Sequence, residues 1–159
     1  MEIYLRYGPA VLRKCERILG NRTDAEDIVQ GLFTDILKSG VPDESLAYLF
    51  RAATNRCLNF IRDRKRRSAL LDRHRSDPSL LNRRYCLEDR TVDLELLTKL
   101  VAKLNKETAS ILVYRYIDDM SQEEICEMTG LSRKTVAKRL NEIERVAKKL
   151  LSREKGDRP

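Results

Sequence analysis

Apolar residues recur at three- and four-residue intervals along most of this 159-residue chain, and this spacing constrains its fold more than any other feature. Such intervals place apolar side chains on one face of an α-helix, whereas a half-buried strand would alternate apolar and polar residues. No strand pattern stands out, and aromatic residues make up only 6% of the chain. Few aromatics and 36% charged residues favour short amphipathic helices over a β-sandwich. The sequence therefore predicts an all-α fold.

Two helices are predicted in the first quarter of the chain. The first covers residues 4–19, with Gly8-Pro9 as an interruption or a late start. A capping-box pattern opens the second, because the Thr23 hydroxyl can accept from the Glu26 amide while the Glu26 carboxylate reaches back. The apolar stripe of this second helix runs from Ile28 to Leu37, and both of these residues are expected to point inward.

A third helix and a polar segment follow. Ser45 can cap this helix, and its stripe continues to about Arg67. Residues 68–92 are polar and lack a sustained stripe, and so long a connection is ordinary between domains but unusual inside one. We therefore predict two small helical domains, 1–67 and 93–155, joined by a flexible linker over 68–92.

The second part of the chain is also predicted to be helical. Apolar stripes continue to residue 117, with Tyr116 expected on the buried face. A second capping box begins at Ser121 and opens a short helix that Gly130 ends. Ser132 can cap a last, longer helix.

The net charge of +7 is unevenly distributed. Residues 1–50 and 91–131 are net acidic, at −2 and −4, whereas residues 51–90 and 132–159 are net basic, at +7 and +6. Basic zones of this kind suit a polyanionic partner such as a nucleic acid. They also suit solvated helix faces, and charge alone does not distinguish the two.

Composition disfavours several classes of protein. No apolar run approaches ~18 residues, so no membrane insertion is expected, and the absence of an apolar signal-peptide core favours the cytoplasm. The four cysteines include no Cys-x-x-Cys pair, and the chain has one histidine, so no metal site is expected. No nucleophile, base or metal set is evident, and we expect neither enzymatic activity nor a cofactor.

The segment from Gln122 to Asn141 has the spacing of a helix-turn-helix. Cys126 supplies a small residue where the two helices meet, and Gly130 tolerates the positive φ of the turn. The exposed residues of the second helix are polar or cationic, the types that bind base edges and phosphates in a major groove. They are Ser132, Arg133, Lys134, Thr135, Lys138 and Arg139. An ordinary helical hairpin with a solvated basic face is the alternative.

Two sets of motifs resemble a known family. Leu104 to Val136, with Ser121-Gln122-Glu123-Glu124-Ile125 and Gly130-Leu131-Ser132, resembles region 4 of bacterial sigma factors, although response-regulator-type activators carry a similar module. Asp24-Ala25-Glu26-Asp27-Ile28-Val29-Gln30 resembles the region 2 signature of the extracytoplasmic-function (ECF) group of the sigma-70 family. The resemblance covers nearly all of residues 5–151. It implies a region 2 helical bundle followed by a region 4 helix-turn-helix.

The chain departs from the family pattern at two places. It has Tyr48-Leu49 where the family usually has Trp-Leu, and Leu104-Asn105 where the family usually has Leu-Pro. Without that proline, the start of the following helix is expected to be less fixed.

The first surface that the resemblance implies binds core RNA polymerase. In the family, the region 2 helix docks on a basic coiled coil of the largest subunit, and Asp24, Glu26, Asp27 and Gln30 match the docking face. Carboxylates there supply charge complementarity. Thr23, Asp24 and Glu26 would also suit the cap and dipole of the helix without a partner. A carboxylate metal site for nuclease chemistry lacks further acidic residues at a suitable spacing.

The second implied surface binds the −10 element of promoter DNA. By resemblance, the third helix binds the non-template strand and the adjoining loop holds a flipped base, which requires polar edges and cations. The matching residues are Thr54, Asn55, Arg56, Asn59, Arg62, Arg64, Lys65 and Arg66. A solvated cationic tail is the alternative for residues 64–67.

The third implied surface is the recognition helix from Ser132 to Arg139, which binds the −35 element by resemblance. Arg133, Lys134 and Lys138 suit phosphates, and Arg139 can instead hold acidic helices of the same domain.

The resemblance as a whole implies a sigma factor that initiates transcription, with core RNA polymerase and promoter DNA as partners. Members of this group are commonly held by an anti-sigma factor packed between the two domains, which the linker would permit. The alternative is a stand-alone helix-turn-helix transcriptional regulator, which would have no use for the motif at residues 24–30.

Overall fold

The structure is a computed structural model that describes residues 2–40, 45–71, 85–87, 90–92 and 94–156. It divides the chain into two compact units, Met1–Leu94 and Glu95–Pro159. Helices make up nearly all of the described residues, which confirms the predicted all-α class.

Three helices form the core of the first unit: α1 (Glu2–Leu19), α2 (Arg22–Ser39) and α3 (Leu46–Leu71). Each of the three packs against the other two. Val11, Ile18 and Leu49 are fully buried between them. Because burial of each such side chain contributes about 1.5–3 kcal/mol, the apolar stripes hold this bundle together.

Helix α1 runs through Gly8-Pro9 without a break, so the predicted interruption is wrong. Packing of α1 on α2 compensates for the hydrogen bond lost at Pro9, because the Tyr4 ring meets the Phe33 ring edge-on, with centroids 5.0 Å apart. The same ring lies against Gly8, where an added Cβ would be 3.1 Å from Tyr4 Cε2 and the ring would have to shift slightly. The start of α1 is therefore anchored on α2.

Asn21, and not Thr23, caps α2. Its side chain accepts from the Asp24 amide at 3.0 Å, and the helix begins at Arg22. Gly20 ends α1 with an amide hydrogen bond to the Glu16 carbonyl, so Asn21 is the first extended residue available as a cap. The predicted capping box at Thr23 is therefore wrong.

A lysine lies in the core of the first unit. Lys14 is 2% exposed, and its Nζ lies 5.1 Å from the centroid of the Phe50 ring. A cation over an aromatic face is stabilised by the ring quadrupole. This contact joins α1 to α3, and the sequence analysis did not predict it.

Most of the predicted linker, 68–92, lies outside the described residues. Its first residues, 68–71, continue α3 beyond the predicted end. Two short strands, β1 (Tyr85–Leu87) and β2 (Arg90–Val92), pair antiparallel with Cys86 opposite Thr91. The sequence analysis expected no strand here.

The second unit contains four helices: α4 (Leu94–Lys103), α5 (Lys106–Leu112), α6 (Gln122–Thr129) and α7 (Arg133–Gly156). Helix α7 packs against α5 and α6. Val101, Ile111, Ile125 and Val136 are fully buried and form the centre of this core.

A π-helical turn, Val113–Ile117, follows α5 directly. The wider turn shifts the register, so that Tyr114 and Ile117 are buried while Tyr116 is 45% exposed. The prediction that Tyr116 lies on the buried face is wrong, because it assumed a continuous α-helical period.

Asn105 caps α5 in place of the family's proline. Its side chain accepts from the Thr108 amide at 2.8 Å, and its φ of −69° is one that proline would adopt. The start of α5 is thus defined by a side-chain cap.

Candidate functional site

The four residues predicted to bind polymerase all lie on α2. Asp27 and Gln30 are exposed one turn apart, and neither has an ion pair with another described residue. Glu26 is also exposed, whereas Asp24 is half-buried. The exposed part of this acidic face therefore consists of Glu26, Asp27 and Gln30.

Internal ion pairs engage the other two acids. Arg22 donates to Glu26 at 2.8 Å and lies 3.3 Å from Glu16, which joins α2 to the end of α1. Asp24 lies 3.6 Å from an Arg64 guanidinium nitrogen on α3. Glu26 is thus not used in a capping box, and Asp24 links the acidic face to the basic end of α3.

A groove of about 560 Å³ between α1 and α2 borders this acidic face. Apolar lining residues Ile3, Tyr4 and Phe33 meet the polar side chain of Gln30 there. Leu37, predicted to point inward, also lines the groove and is 67% exposed. The sequence does not indicate this groove, because the apolar stripe of α2 is wider than the part of the helix that packs inside the three-helix bundle.

The predicted −10 residues lie on α3, and they differ in accessibility. Asn55 and Asn59 are exposed. Thr54 is fully buried, and its hydroxyl donates to the Phe50 carbonyl at 2.8 Å. The structure therefore gives Thr54 a role inside the bundle and removes it from the candidate DNA surface.

Arg56 joins α3 to α2. Its guanidinium donates to Asp35 at 2.6 Å and lies over Gly31. This hydrogen bond, together with the positive charge, lowers the pKa of the Asp35 carboxyl below its ordinary value of 3.8. Arg56 is half-buried, so it ties the two helices together and exposes only part of its side chain.

The end of α3 carries the strongest positive charge of the first unit. Arg64, Lys65 and Arg66 are all exposed, and Arg62 is half-buried. Arg64 faces Asp24, and Arg66 lies 3.9 Å from Asp63. Lys65 has no ion pair with a described residue.

The helix-turn-helix has the predicted geometry. The Ser121 hydroxyl accepts from the Glu124 amide at 3.2 Å, and Glu124 Oε2 accepts from the Ser121 amide at 2.7 Å, which confirms the capping box. These hydrogen bonds lower the pKa of the Glu124 carboxyl. Gly130 has a φ of 73° in the turn, a conformation that favours glycine. Cys126 of α6 is half-buried.

Residues at the start of α7 form the candidate recognition surface. Ser132 accepts from the Thr135 amide at 3.2 Å, which confirms it as the cap of the last helix. Its hydroxyl also lies 2.9 Å from the Thr135 hydroxyl, so both polar groups have partners within the chain. Lys134 and Lys138 are exposed and have no ion pair with a described residue. Arg133 forms an ion pair with Glu123 of α6.

Arg139 faces the interior of the second unit. It donates to Glu107 of α5 at 2.8 Å and to Glu142 at 3.4 Å. The hydrogen bond to Glu107, more than any other contact, raises the pKa of the Arg139 guanidinium. Of the two roles that the sequence left open for Arg139, the structure supports the one that holds acidic helices.

Metal clusters and membrane spans are both absent from the described residues. Among the described residues, no three His, Cys, Asp or Glu side chains are grouped so as to hold a metal ion. None of the described helices combines the length and apolar character that a membrane span requires.

Comparison with known families matches both units. Residues 3–67 match the profile described as Sigma-70 region 2, and residues 94–145 match the profile described as Sigma-70, region 4. The first match contains the acidic face of α2 and most of α3, and the second contains the helix-turn-helix.

Individual relatives agree with these matches. The chain is 29% identical over 149 residues to the ECF RNA polymerase sigma factor SigW of Bacillus subtilis (strain 168), which covers 85% of this chain and 79% of that protein. The fold is similar to the co-crystal structure of the sigma factor RpoE in complex with the anti-sigma factor NepR from Bartonella quintana. That comparison has a TM-score of 0.50 at 20% identity and covers 98% of this chain and 96% of the other.

Proposed function

Because this chain belongs to the sigma-70 family, in its extracytoplasmic-function group, we propose that it binds core RNA polymerase and directs it to specific promoters. One observation carries the proposal: regions 2 and 4 occur in the same chain, in the family's order. A chain with only the second region would suit many DNA-binding proteins.

Core polymerase is proposed to dock on α2, first of all at Asp27 and Gln30. These side chains are exposed on one face, and no described residue pairs with Asp27. A basic partner can therefore approach Asp27 without displacing an internal cation. Docking that also engages Asp24 or Glu26 would have to exchange their contacts with Arg64 and Arg22.

Promoter DNA is proposed to contact two basic surfaces. On α3 the exposed or half-exposed polar and cationic residues would bind the −10 element. They are Asn55, Arg56, Asn59, Arg62, Arg64, Lys65 and Arg66. On α7, Arg133, Lys134 and Lys138 would bind the −35 element, with Ser132 and Thr135 at the helix start.

The division of labour follows the predicted domains. We propose that residues 1–67 act as region 2 and residues 93–155 as region 4, with 68–92 as a linker. Each part would bind DNA weakly alone, and their connection would raise the effective concentration of the second contact.

The function proposed here is binding and not catalysis. The cytoplasm is the proposed location, since both partners, polymerase and DNA, are found there in bacteria. Regulation by an anti-sigma factor is proposed as well, in keeping with the family and with the partner present in the Bartonella quintana structure.

Reconstitution tests this function directly. The chain would be added to sigma-free core polymerase with genomic DNA fragments from its own source organism, and transcripts would be mapped. We expect start sites that appear only with the chain and share an upstream sequence. Core alone and core with an unrelated sigma factor are the controls.

The same experiment distinguishes a sigma factor from the alternative function, a stand-alone transcriptional regulator. A stand-alone helix-turn-helix regulator would bind the DNA fragments but would not produce a specific transcript with core polymerase. Normal DNA binding without such transcripts would therefore exclude the sigma-factor function and favour the regulator.

A further inference from the structure

An ion pair crosses the turn of the helix-turn-helix. Arg133, the first residue of α7, contacts Glu123 in the first turn of α6. Both side chains are largely exposed, at 72% and 57%. The pair therefore lies on the outer surface of the motif, at the end of the recognition helix that approaches DNA in such motifs.

Glu123 is not needed for the cap of α6. Ser121 and Glu124 already complete the capping box, through two hydrogen bonds of 3.2 and 2.7 Å. Among the described residues, the Glu123 carboxylate forms an ion pair with Arg133. Glu123 also suits the dipole of α6 from the first turn, and since the capping box does not use its carboxylate, that carboxylate can pair with Arg133.

The cations of this surface fall into two groups. Lys134 and Lys138 are exposed without an ion pair to the described part of the chain, whereas Arg133 is held by Glu123. A DNA phosphate that binds Arg133 must displace this carboxylate and also experiences its repulsion. A phosphate that binds Lys134 or Lys138 displaces no carboxylate of the described residues, and it is not directly repelled by Glu123.

We propose that Glu123 is a positioning residue that withholds Arg133 from phosphates and thereby weakens sequence-independent DNA binding. The proposal rests on the DNA-binding role of α7 proposed above. The carboxylate leaves Arg133 free for a contact strong enough to replace it, such as a bidentate contact with a guanine edge. Weak binding to random sequence raises the ratio of specific to non-specific affinity.

The test is Glu123→Gln in the full chain, with Glu127→Gln as the matched control. Glu127 lies on the same helix, is exposed, and loses the same charge, but it has no ion pair with a described residue. Affinity for a random-sequence DNA duplex would be measured by fluorescence anisotropy over a series of KCl concentrations.

Glu123→Gln is expected to bind this duplex about two- to fivefold more tightly than Glu127→Gln does, the range for an exposed ion pair. Its salt slope should steepen by about 0.9, because Arg133 becomes available to one more phosphate. A purely structural role would change neither quantity. Equal affinity and equal slope in the two variants would overturn the proposal.

Two further variants identify the source of any effect. In an Arg133→Ala background, Glu123→Gln should change the affinity no more than Glu127→Gln does; an undiminished effect would overturn the assignment of Arg133 as the withheld cation. Lys134→Ala with Lys138→Ala should weaken duplex binding in every background. If this double variant binds as tightly as the unmodified chain, α7 does not bind DNA. That result would refute the proposed DNA-binding role of α7, independently of the comparison between Glu123→Gln and Glu127→Gln.

Discussion

Arginine and lysine have different roles on the basic surfaces of this protein. Arg56, Arg64, Arg133 and Arg139 each contact a carboxylate of another helix. Lys65, Lys134 and Lys138 are exposed, and none has an ion pair with a described residue. The planar guanidinium fork suits carboxylates better than an ammonium group does. These three lysines can therefore bind a phosphate without breaking an ion pair to a described residue, whereas these four arginines also hold helices together.

Titration of Asp35 tests the ion pair between Arg56 and Asp35, which joins α3 to α2. The Arg56 hydrogen bond and charge hold the folded pKa of Asp35 below 3.8, so the pair contributes stability at neutral pH. This contribution is lost as the pH falls below 3.8 toward the folded pKa. We expect the carboxyl ¹³C signal of Asp35 to titrate below 3.8, and Arg56→Met to move its midpoint upward.

The matched control for this titration is Arg67→Met, which removes an exposed arginine of the same helix. It should leave the Asp35 midpoint unchanged. A midpoint that does not respond to Arg56→Met would show that Asp35 and Arg56 are not paired in solution.

At the scale of elements, caps and one π turn define the second unit. Asn105, Ser121 and Ser132 each accept from an amide three residues later, so α5, α6 and α7 all begin at side-chain caps. Between α5 and α6, the π turn at Val113–Ile117 places Tyr114 in the core and leaves Tyr116 exposed. These short elements hold the start of α7 in place for its proposed DNA contacts.

Two tyrosine substitutions test the register of the π turn. Tyr114 is 2% exposed, and Tyr114→Ala should destabilise the second unit by about 3 kcal/mol, as for other buried aromatics. Tyr116 is 45% exposed, and Tyr116→Ala should cost less than about 1 kcal/mol. Hydrogen exchange of the buried Ile111 and Ile125 amides would measure both effects.

The two substitutions act as controls for each other, since they remove the same ring from two positions of the same π turn. An uninterrupted α-helix that buries Tyr116 would reverse their order. Equal losses of protection would also contradict the register described here.

Across the whole molecule, a modest net charge conceals surfaces of opposite sign. In the first unit, Asp24–Arg64 joins the acidic face of α2 to the basic end of α3, and Asp35–Arg56 joins the same two helices elsewhere. In the second unit, acids of α5 and α6 hold Arg139 and Arg133 of the basic α7. Each unit thus holds both signs in contact, and the proposed partners would bind different faces.

Asp27→Lys tests whether these faces act separately. Asp27 is exposed on α2 and has no ion pair with a described residue. Reversing its charge should abolish binding to core polymerase, because the proposed basic partner would then be repelled. Binding of the full chain to a DNA duplex should persist. Both affinities can be measured by fluorescence anisotropy with labelled protein or labelled DNA.

Glu144→Lys is the matched control, since it makes the same charge change at an exposed position of α7. It should leave polymerase affinity unchanged. If Asp27→Lys binds core polymerase as well as the unmodified chain does, the proposed docking face on α2 is wrong.

Much of the architecture could be predicted from local pattern. The caps at Ser45, Ser121 and Ser132 and the turn at Gly130 agree with the structure, as do the stripes of α2, α3 and α7 except for Leu37 and Leu46, which are exposed. The errors arose where two local signals competed, as at Asn21 and Thr23, or where the helical period changed, as at Tyr116. A break is predicted at Gly8-Pro9 because the packing of α1 on α2, such as Tyr4 on Phe33, is not visible in the local sequence.

The sequence by itself determined most of the helices, because periodicity and capping depend on residues a few positions apart. Its motifs at residues 24–30 and 104–136 indicated the family and the order of the two regions by resemblance. Only the tertiary structure decided which of the candidate residues are accessible. Thr54 is buried, Arg139 is held by Glu107 from 32 residues away, and Asp24 faces Arg64. Burial and ion pairing depend on which helices pack together, and a helical stripe does not specify its neighbour. The choice between Glu123 and a phosphate as the partner of Arg133 is likewise a property of the folded surface.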